Sequence, residues 1–238
     1  YGETHKDKYK KEWTIAIDTE WAGLITPFEE DGIPALRWIT SQEKDEIFKE
    51  TGSSKTEQLV WNYRVNLDPK GNVEKFKGRL RADGSKQTDV DPYLKYSPVV
   101  KFPSLLTLLS TALEKNMSIT QYDIPMAYLH AKPSTRKVAK APKSHRMLDK
   151  DGNEMYLEIC RNLYGDVEAA KLFYEHNAKF LLSLGFQQCD EDPCIYFNEE
   201  RTCYICVYID DILVAASDDH TRTKIEDALT KKNKTKKE

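Results

Sequence analysis

Apolar positions in residues 9–24, YKKEWTIAIDTEWAGL, gather on one helical face through Trp13, Ala16 or Ile17, Trp21 and Leu24. The pattern predicts an amphipathic helix with a packing role. Residues 25–55, with EEDG, TGSS and many charges, read as irregular. The pattern then changes to partial alternation. LVWNYRVNL, the turn DPKGN and VEKFKGRLRA predict a hairpin over 59–80. Its return strand sets Lys75, Lys77 and Arg79 on one face, with Arg81 next along. Such a face is either merely solvated or a grip for phosphates. ADGSKQTDVDP (82–92) reads as a loop. FPSLLTLLSTALEKN (102–116) reads as a helix with Pro103 near its start, and MSITQYDI (117–124) as a short strand stopped by Pro125. AAKLFYEHNAKFLLSLGF (169–186) is a second strong helix closed by Gly185. CIYFN, CYICVYI and ILVAAS are strands. Helices and antiparallel strands mix without βαβ repetition, so the fold class is α+β.

The last two strands meet at Asp210 and Asp211. Adjacent carboxylates between apolar flanks are costly to ionise together. One reading is a polar hairpin turn, where Asp tolerates unusual backbone angles. The other is a divalent-metal site, because a cation removes the repulsion. Two-metal phosphoryl chemistry needs a further acid from elsewhere in the fold. Asp123, at the end of SITQYDI, is the candidate. Tyr128, five positions on, suits packing against a sugar ring.

The 238 residues, 39% hydrophobic and 32% charged, can bury a sizeable core. The formal charge of −3 gives no global attraction to nucleic acid, so any such partner must meet local basic patches. No apolar run approaches a membrane span, and the N-terminus lacks a signal-peptide pattern. The chain starts without Met and reads as a fragment of a longer one; TKKNKTKKE reads as a solvated end or cut point. Five cysteines fit a reducing compartment. A zinc site built on Cys203 and Cys206, with Cys189 and Cys194, is disfavoured, because positions three apart on a strand face opposite sides.

Taken in order, GNVEKFKGRLRADG, YSPVVKF, ITQYDIPMAYLHA, ICRNLYG, FYEHNAKFLLSLGF, DPCIYF and VYIDDILVAAS resemble the reverse transcriptases of copia-type (Pseudoviridae) long-terminal-repeat retrotransposons. The resemblance runs over most of the chain. It implies polymerase fingers and palm, with an antiparallel palm sheet and the thumb absent or truncated. The implied divisions are an N-terminal helix and irregular extension (1–56), fingers with the basic hairpin (57–116), palm (117–224) and a basic C-terminal end (225–238). Asp123, Asp210 and Asp211, with the carbonyl of Ile124, are implied to hold two Mg²⁺, which Mn²⁺ can replace. Lys77 and Arg79 are implied to meet the incoming triphosphate. Tyr128 is implied to exclude a 2′-hydroxyl, and Tyr208 and Ile209 to sit against the primer end. Implied partners are an RNA or DNA template with its primer and deoxynucleoside triphosphates, with no membrane. The implied location is cytoplasmic, in virus-like particles, and not secreted.

The chain departs from the family pattern near the expected nucleotide pocket. After LYG it runs DVEAAK, placing Glu168 where a Gln is expected to touch the nucleotide. Asp166 adds another acid, Val167 replaces a basic residue, and Pro125 and Ala131 are also unusual. Two readings therefore stand beside each other: an RNA-directed DNA polymerase domain, and a catalytically silent relic that binds nucleic acid or is only a folded module. A viral RNA-dependent RNA polymerase shares the acids, but Tyr128 argues against it.

Overall fold

The helix expected over 9–24 spans Lys10–Ile25 (α1). The computed structural model describes residues 8–29, 31–88, 90–233 and 236–237. After α1 come β1 (Leu36–Ile39), α2 (Ser41–Thr51), β2 (Leu59–Leu67), β3 (Val73–Ala82), α3 (Phe102–Glu114), β4 (Ser118–Asp123), β5 (Lys137–Ala139) and β6 (Tyr156–Ile159). Then follow α4 (Ala169–Ser183), β7 (Gln187–Gln188), β8 (Ile195–Phe197), β9 (Cys203–Tyr208), β10 (Asp211–Ala216), α5 (Asp219–Asn233) and β11 (Lys236–Lys237). The protein is a mixed helix and sheet protein with antiparallel sheets.

The chain forms two units, residues 1–90 with 132–169 and residues 91–131 with 170–238. These differ from the linear divisions expected at 56, 116 and 224. Residues 132–169 return to the first unit because β6 pairs with β1, and α3 belongs to the second because it packs on the strands there.

In the first unit β2 and β3 form the expected hairpin. Asp68 Oδ1 accepts from the backbone N–H of Lys70 and Asn72, both at 2.8 Å, and Gly71 takes the left-handed conformation that closes the turn. One hairpin face is apolar and carries α1. Trp13 meets Tyr63 at 5.3 Å and Phe76 at 4.8 Å, both edge-on, contacts worth about 0.5–1.5 kcal/mol each. The region read as irregular in fact holds β1 and α2. Its signal was present: Thr40 and Glu43 form a capping box, and Gly52 ends the helix in the left-handed region. Sheet β1-β6-β5 packs Ile39, Ile47 and Val138 together.

The second unit is built on a six-stranded sheet of order β11-β4-β10-β9-β8-β7. Ile205, Val207, Ile212 and Val214 pack with Phe173 and Leu181 of α4 and Ile225 and Leu229 of α5. Cys206 and Ala215 pack with Leu108 and Ala112 of α3. Both sides of β9 and β10 are covered, which is why their sequences read as unbroken apolar runs. Cys203 and Cys206 belong to these two different clusters, and all five cysteines are free. Burial pushes the Cys203 thiol up to about 12 and the Cys206 thiol up to about 11, the behaviour of buried hydrophobes. Helix α5 is anchored one turn apart by Ile225 and Leu229, and the stretch TKKNKTKKE read as a solvated end opens with its last turn, where Thr230 and Lys231 are exposed; residues 234, 235 and 238 lie outside the described residues. Among the described residues no helix is long and apolar enough to cross a membrane.

Candidate active site

The expected acids lie at one end of the second unit's sheet, Asp123 and Asp211 at paired strand ends and Asp210 in the turn between β9 and β10. Asp211, the first residue of β10, lies opposite Asp123 of β4 on one side and Tyr208 of β9 on the other. Cross-strand partners share a face, so Asp123, Asp211 and Tyr208 form one transverse row. The Ile124 N–H donates to the Asp210 carbonyl at 2.9 Å, which ties the end of β4 to the turn. Asp211 is turned towards Gln121, whose Nε2 donates to Asp211 Oδ1 at 3.2 Å.

The turn itself is two residues long, Ile209 and Asp210 between Tyr208 and Asp211. Ile209 has φ +58°, a region that β-branched residues avoid. Strain of this kind persists only where the surrounding structure enforces it. Ile209 and Tyr208 are exposed, while Asp210 and Asp211 are half-buried. Tyr128 stands edge-on to Phe173 at 5.9 Å. Burial, and then the charge of Asp210, push its phenol above the ordinary value.

Does this donor set fit a divalent cation? The donors are hard carboxylate oxygens, which suit Mg²⁺ or Mn²⁺. Two carboxylates directly opposite each other on a sheet repel, and a cation between them removes that cost. Among the described residues, however, no three Asp, Glu, His or Cys side chains gather tightly enough to hold one ion. The acids are neighbours through their backbones, with carboxylates not drawn to a common point.

The basic face lies on the first unit. Across the hairpin Arg79 pairs with Asn62, Lys77 with Arg64 and Lys75 with Asn66. A groove of about 220 Å³ is lined by Asn62, Arg64, Asn66, Lys77 and Arg79. Arg64, Asn62 and Asn66 were missed because only the return strand's alternation was followed; β2 alternates in the same way. Burial, then the charges of Arg79 and Lys75, pull the Lys77 ammonium below its ordinary value, with Glu20 opposing. Among the described residues none of Arg64, Lys75, Lys77 and Arg79 has an ion-pair partner. Directly opposed cations are destabilising in a sheet, so this face favours an anion.

Glu168 lies in the first unit. It is 1% exposed. Lys137 Nζ lies 2.8 Å from Glu168 Oε1 and 2.8 Å from Asp166 Oδ2. Ser134 donates its backbone N–H to Glu168 Oε1 and its hydroxyl to Glu168 Oε2. In this arrangement both carboxylate oxygens are engaged internally. The sequence signal was Lys137 itself, a cation about thirty positions upstream of Asp166 and Glu168.

The chain is similar to known proteins over most of its length. The family described as "Reverse transcriptase (RNA-dependent DNA polymerase)" matches residues 45–237. The "Retrovirus-related Pol polyprotein from transposon TNT 1-94" of Nicotiana tabacum is 26% identical over 203 residues, 80% of this chain and 15% of that protein. The corresponding polyprotein from transposon RE1 of Arabidopsis thaliana is 27% identical over 66% of this chain and 11% of that protein. The "Transposon Ty1-NL2 Gag-Pol polyprotein" of Saccharomyces cerevisiae is 31% identical over 59% of this chain and 8% of that protein. The chain thus spans a small part of the length of these relatives. With its acids on the YIDD turn and the family match over most of its length, the chain belongs to the reverse transcriptase (RNA-dependent DNA polymerase) family, as a copia-type reverse transcriptase domain of retrotransposon Pol polyproteins.

Proposed function

We propose that the domain extends a primer on an RNA or DNA template with deoxynucleoside triphosphates. The observation that carries the reading is the register that sets Asp123 opposite Asp211, beside the strained Ile209–Asp210 turn. In this reading the second unit is the palm and the hairpin unit the fingers. Asp123, Asp210 and Asp211, with the Ile124 carbonyl, hold two divalent ions. Those ions, when bound, supply activation of the primer 3′-hydroxyl and stabilisation of the departing pyrophosphate. Lys77 and Arg79 bind the triphosphate, since they offer unpaired positive charge. Tyr128 packs under the sugar and excludes a 2′-hydroxyl. Tyr208 and Ile209 rest against the primer end, as their exposure allows. Glu168 enters as the buried partner of Lys137.

The test is primer extension on poly(rA)/oligo(dT) with Mg²⁺ or Mn²⁺. Extension that requires the metal supports the reading. A silent relic predicts duplex binding with no extension under either metal. Work in a cytoplasmic particle belongs to the same proposal and is tested by co-sedimentation of the full polyprotein with such particles.

A further inference from the structure

Tyr164, in the LYG turn, presents its ring to Arg79. The Arg79 guanidinium carbon lies 4.7 Å from the ring centroid. The turn that carries this ring is stitched to the end of β3. The Ala82 N–H donates to the Tyr164 carbonyl at 2.9 Å, and the Val167 N–H donates to Gln87 Oε1 at 2.9 Å. The backbones approach so closely that a Cβ on Gly165 would stand 2.3 Å from the Ala82 carbonyl oxygen, and one on Gly84 would stand 2.3 Å from the Gly165 carbonyl oxygen. Leu163, next to Tyr164, is 1% exposed and anchors the turn inward. The ring is therefore held at a fixed height against the strand that carries Arg79.

An acid could also hold Arg79, but it would neutralise the guanidinium and compete with an incoming anion. The face of an aromatic ring holds the cation from one side and leaves its charge and in-plane N–H donors for a phosphate. It also counters the drift that repulsion from Lys77 would cause, since the two cations lie on the same strand face.

We propose that Tyr164 is a positioning residue, which orients Arg79 for the nucleotide triphosphate by stacking beneath its guanidinium. The assignment rests on the polymerase reading. It places the nucleotide-related role of the LYG segment on Tyr164 through Arg79, and not on Glu168, whose carboxylate is engaged with Lys137 and Ser134.

The experiment compares the parent chain with Tyr164→Phe, Tyr164→Leu, Arg79→Ala and the Arg79→Ala/Tyr164→Leu double variant. The probe is Mg·dTTP, read by equilibrium binding and by KM and kcat on poly(rA)/oligo(dT). Tyr164→Leu should raise Kd and KM for dTTP about five- to tenfold with kcat within about twofold. Tyr164→Phe, which keeps the ring, should restore nucleotide binding to within about twofold of the parent. The double variant should bind no more weakly than Arg79→Ala, because the ring acts only through the guanidinium. The Nε–H resonance of Arg79 gives a readout independent of activity: its ring-current shift should vanish in Tyr164→Leu and persist in Tyr164→Phe. If Tyr164→Leu folds poorly, Tyr164→Met fills the same space without a π-face and replaces it. Unchanged dTTP affinity in the ring-less variants, while Arg79→Ala weakens it, overturns the proposal and leaves the polymerase reading standing. So does full additivity in the double variant. A parent chain that binds no dTTP, with Arg79→Ala no different, overturns the polymerase reading and this assignment with it.

Discussion

Asp211 and Asp123 face each other across neighbouring strands, each the last or first residue of its strand. Two carboxylates in that relation cost about 0.2–1 kcal/mol when no cation lies near them. Asp211→Asn should therefore raise stability by a few tenths of a kcal/mol in EDTA. The same change should abolish the melting-temperature rise that millimolar Mn²⁺ gives the parent, about 2–4 °C per kcal/mol of binding linkage. Thermal melts with and without Mn²⁺ check both signs. A Mn²⁺ shift of equal size in the variant would remove Asp211 from the metal site.

Ile209 adopts φ +58° at the hairpin turn. A glycine there removes a penalty of about 1–2 kcal/mol but adds unfolded-state entropy, so the net gain of Ile209→Gly is about 0.5–1 kcal/mol. Urea denaturation should show the raised midpoint. Extension by the same variant should fall, because the strained turn fixes where Asp210 points. A lowered midpoint would mean that the Ile209 side chain, 40% exposed, contributes more by contact than its backbone costs.

Much of this was legible in the sequence. The hairpin followed from alternation around DPKGN, and the separation of Cys203 from Cys206 followed from strand periodicity. Strands β9 and β10 could be read as apolar runs, but not the reason for them, which is burial on both faces. The small sheet β1-β6-β5 was not legible, because its strands are three or four residues long and β1 pairs with β6 across more than a hundred positions. Glu168 was placed by its neighbours in a motif, yet its environment is set by Lys137 and Ser134, about thirty positions upstream. Local sequence carries turn chemistry and periodicity; it carries little about which distant charge will meet a buried one.

That buried cluster has an asymmetric response. Burial acts to lower the Lys137 pKa, but Asp166 and Glu168 more than offset it and hold the ammonium above its ordinary value. Glu168→Gln leaves Lys137 with Asp166 and should cost about 1–2 kcal/mol. Lys137→Met leaves two carboxylates without their cation and should cost about 3–5 kcal/mol. A raised lysine pKa contributes stability that is fully present below the unfolded value and is lost as pH rises through the folded one. The parent should therefore lose stability above about pH 10.4, and Lys137→Met should lose less over that window. Denaturation midpoints of the three proteins between pH 8 and 11 decide it. Higher stability in Glu168→Gln would show that the carboxylate is not bound as described.

Gly165 has φ +83°, and its missing Cβ leaves room for the Ala82 carbonyl. Gly165→Ala should destabilise by about 2–4 kcal/mol, through both the forbidden φ and the clash. Gly152→Ala, also at positive φ but with nothing within 4 Å of the new methyl group, should cost only the conformational part, about 1 kcal/mol. Equal losses in the two variants would mean that the close approach of the LYG turn to β3 is not rigid.

The most direct test of the central claim is primer extension by Asp210→Asn beside the parent, with template–primer binding measured on the same preparations. A carboxylate that holds a catalytic cation cannot be replaced by a neutral amide without losing the charge that anchors it. The account predicts metal-dependent extension by the parent, extension by Asp210→Asn reduced at least about a thousandfold, and duplex affinity unchanged within about threefold. Extension surviving in Asp210→Asn at a comparable rate would contradict it.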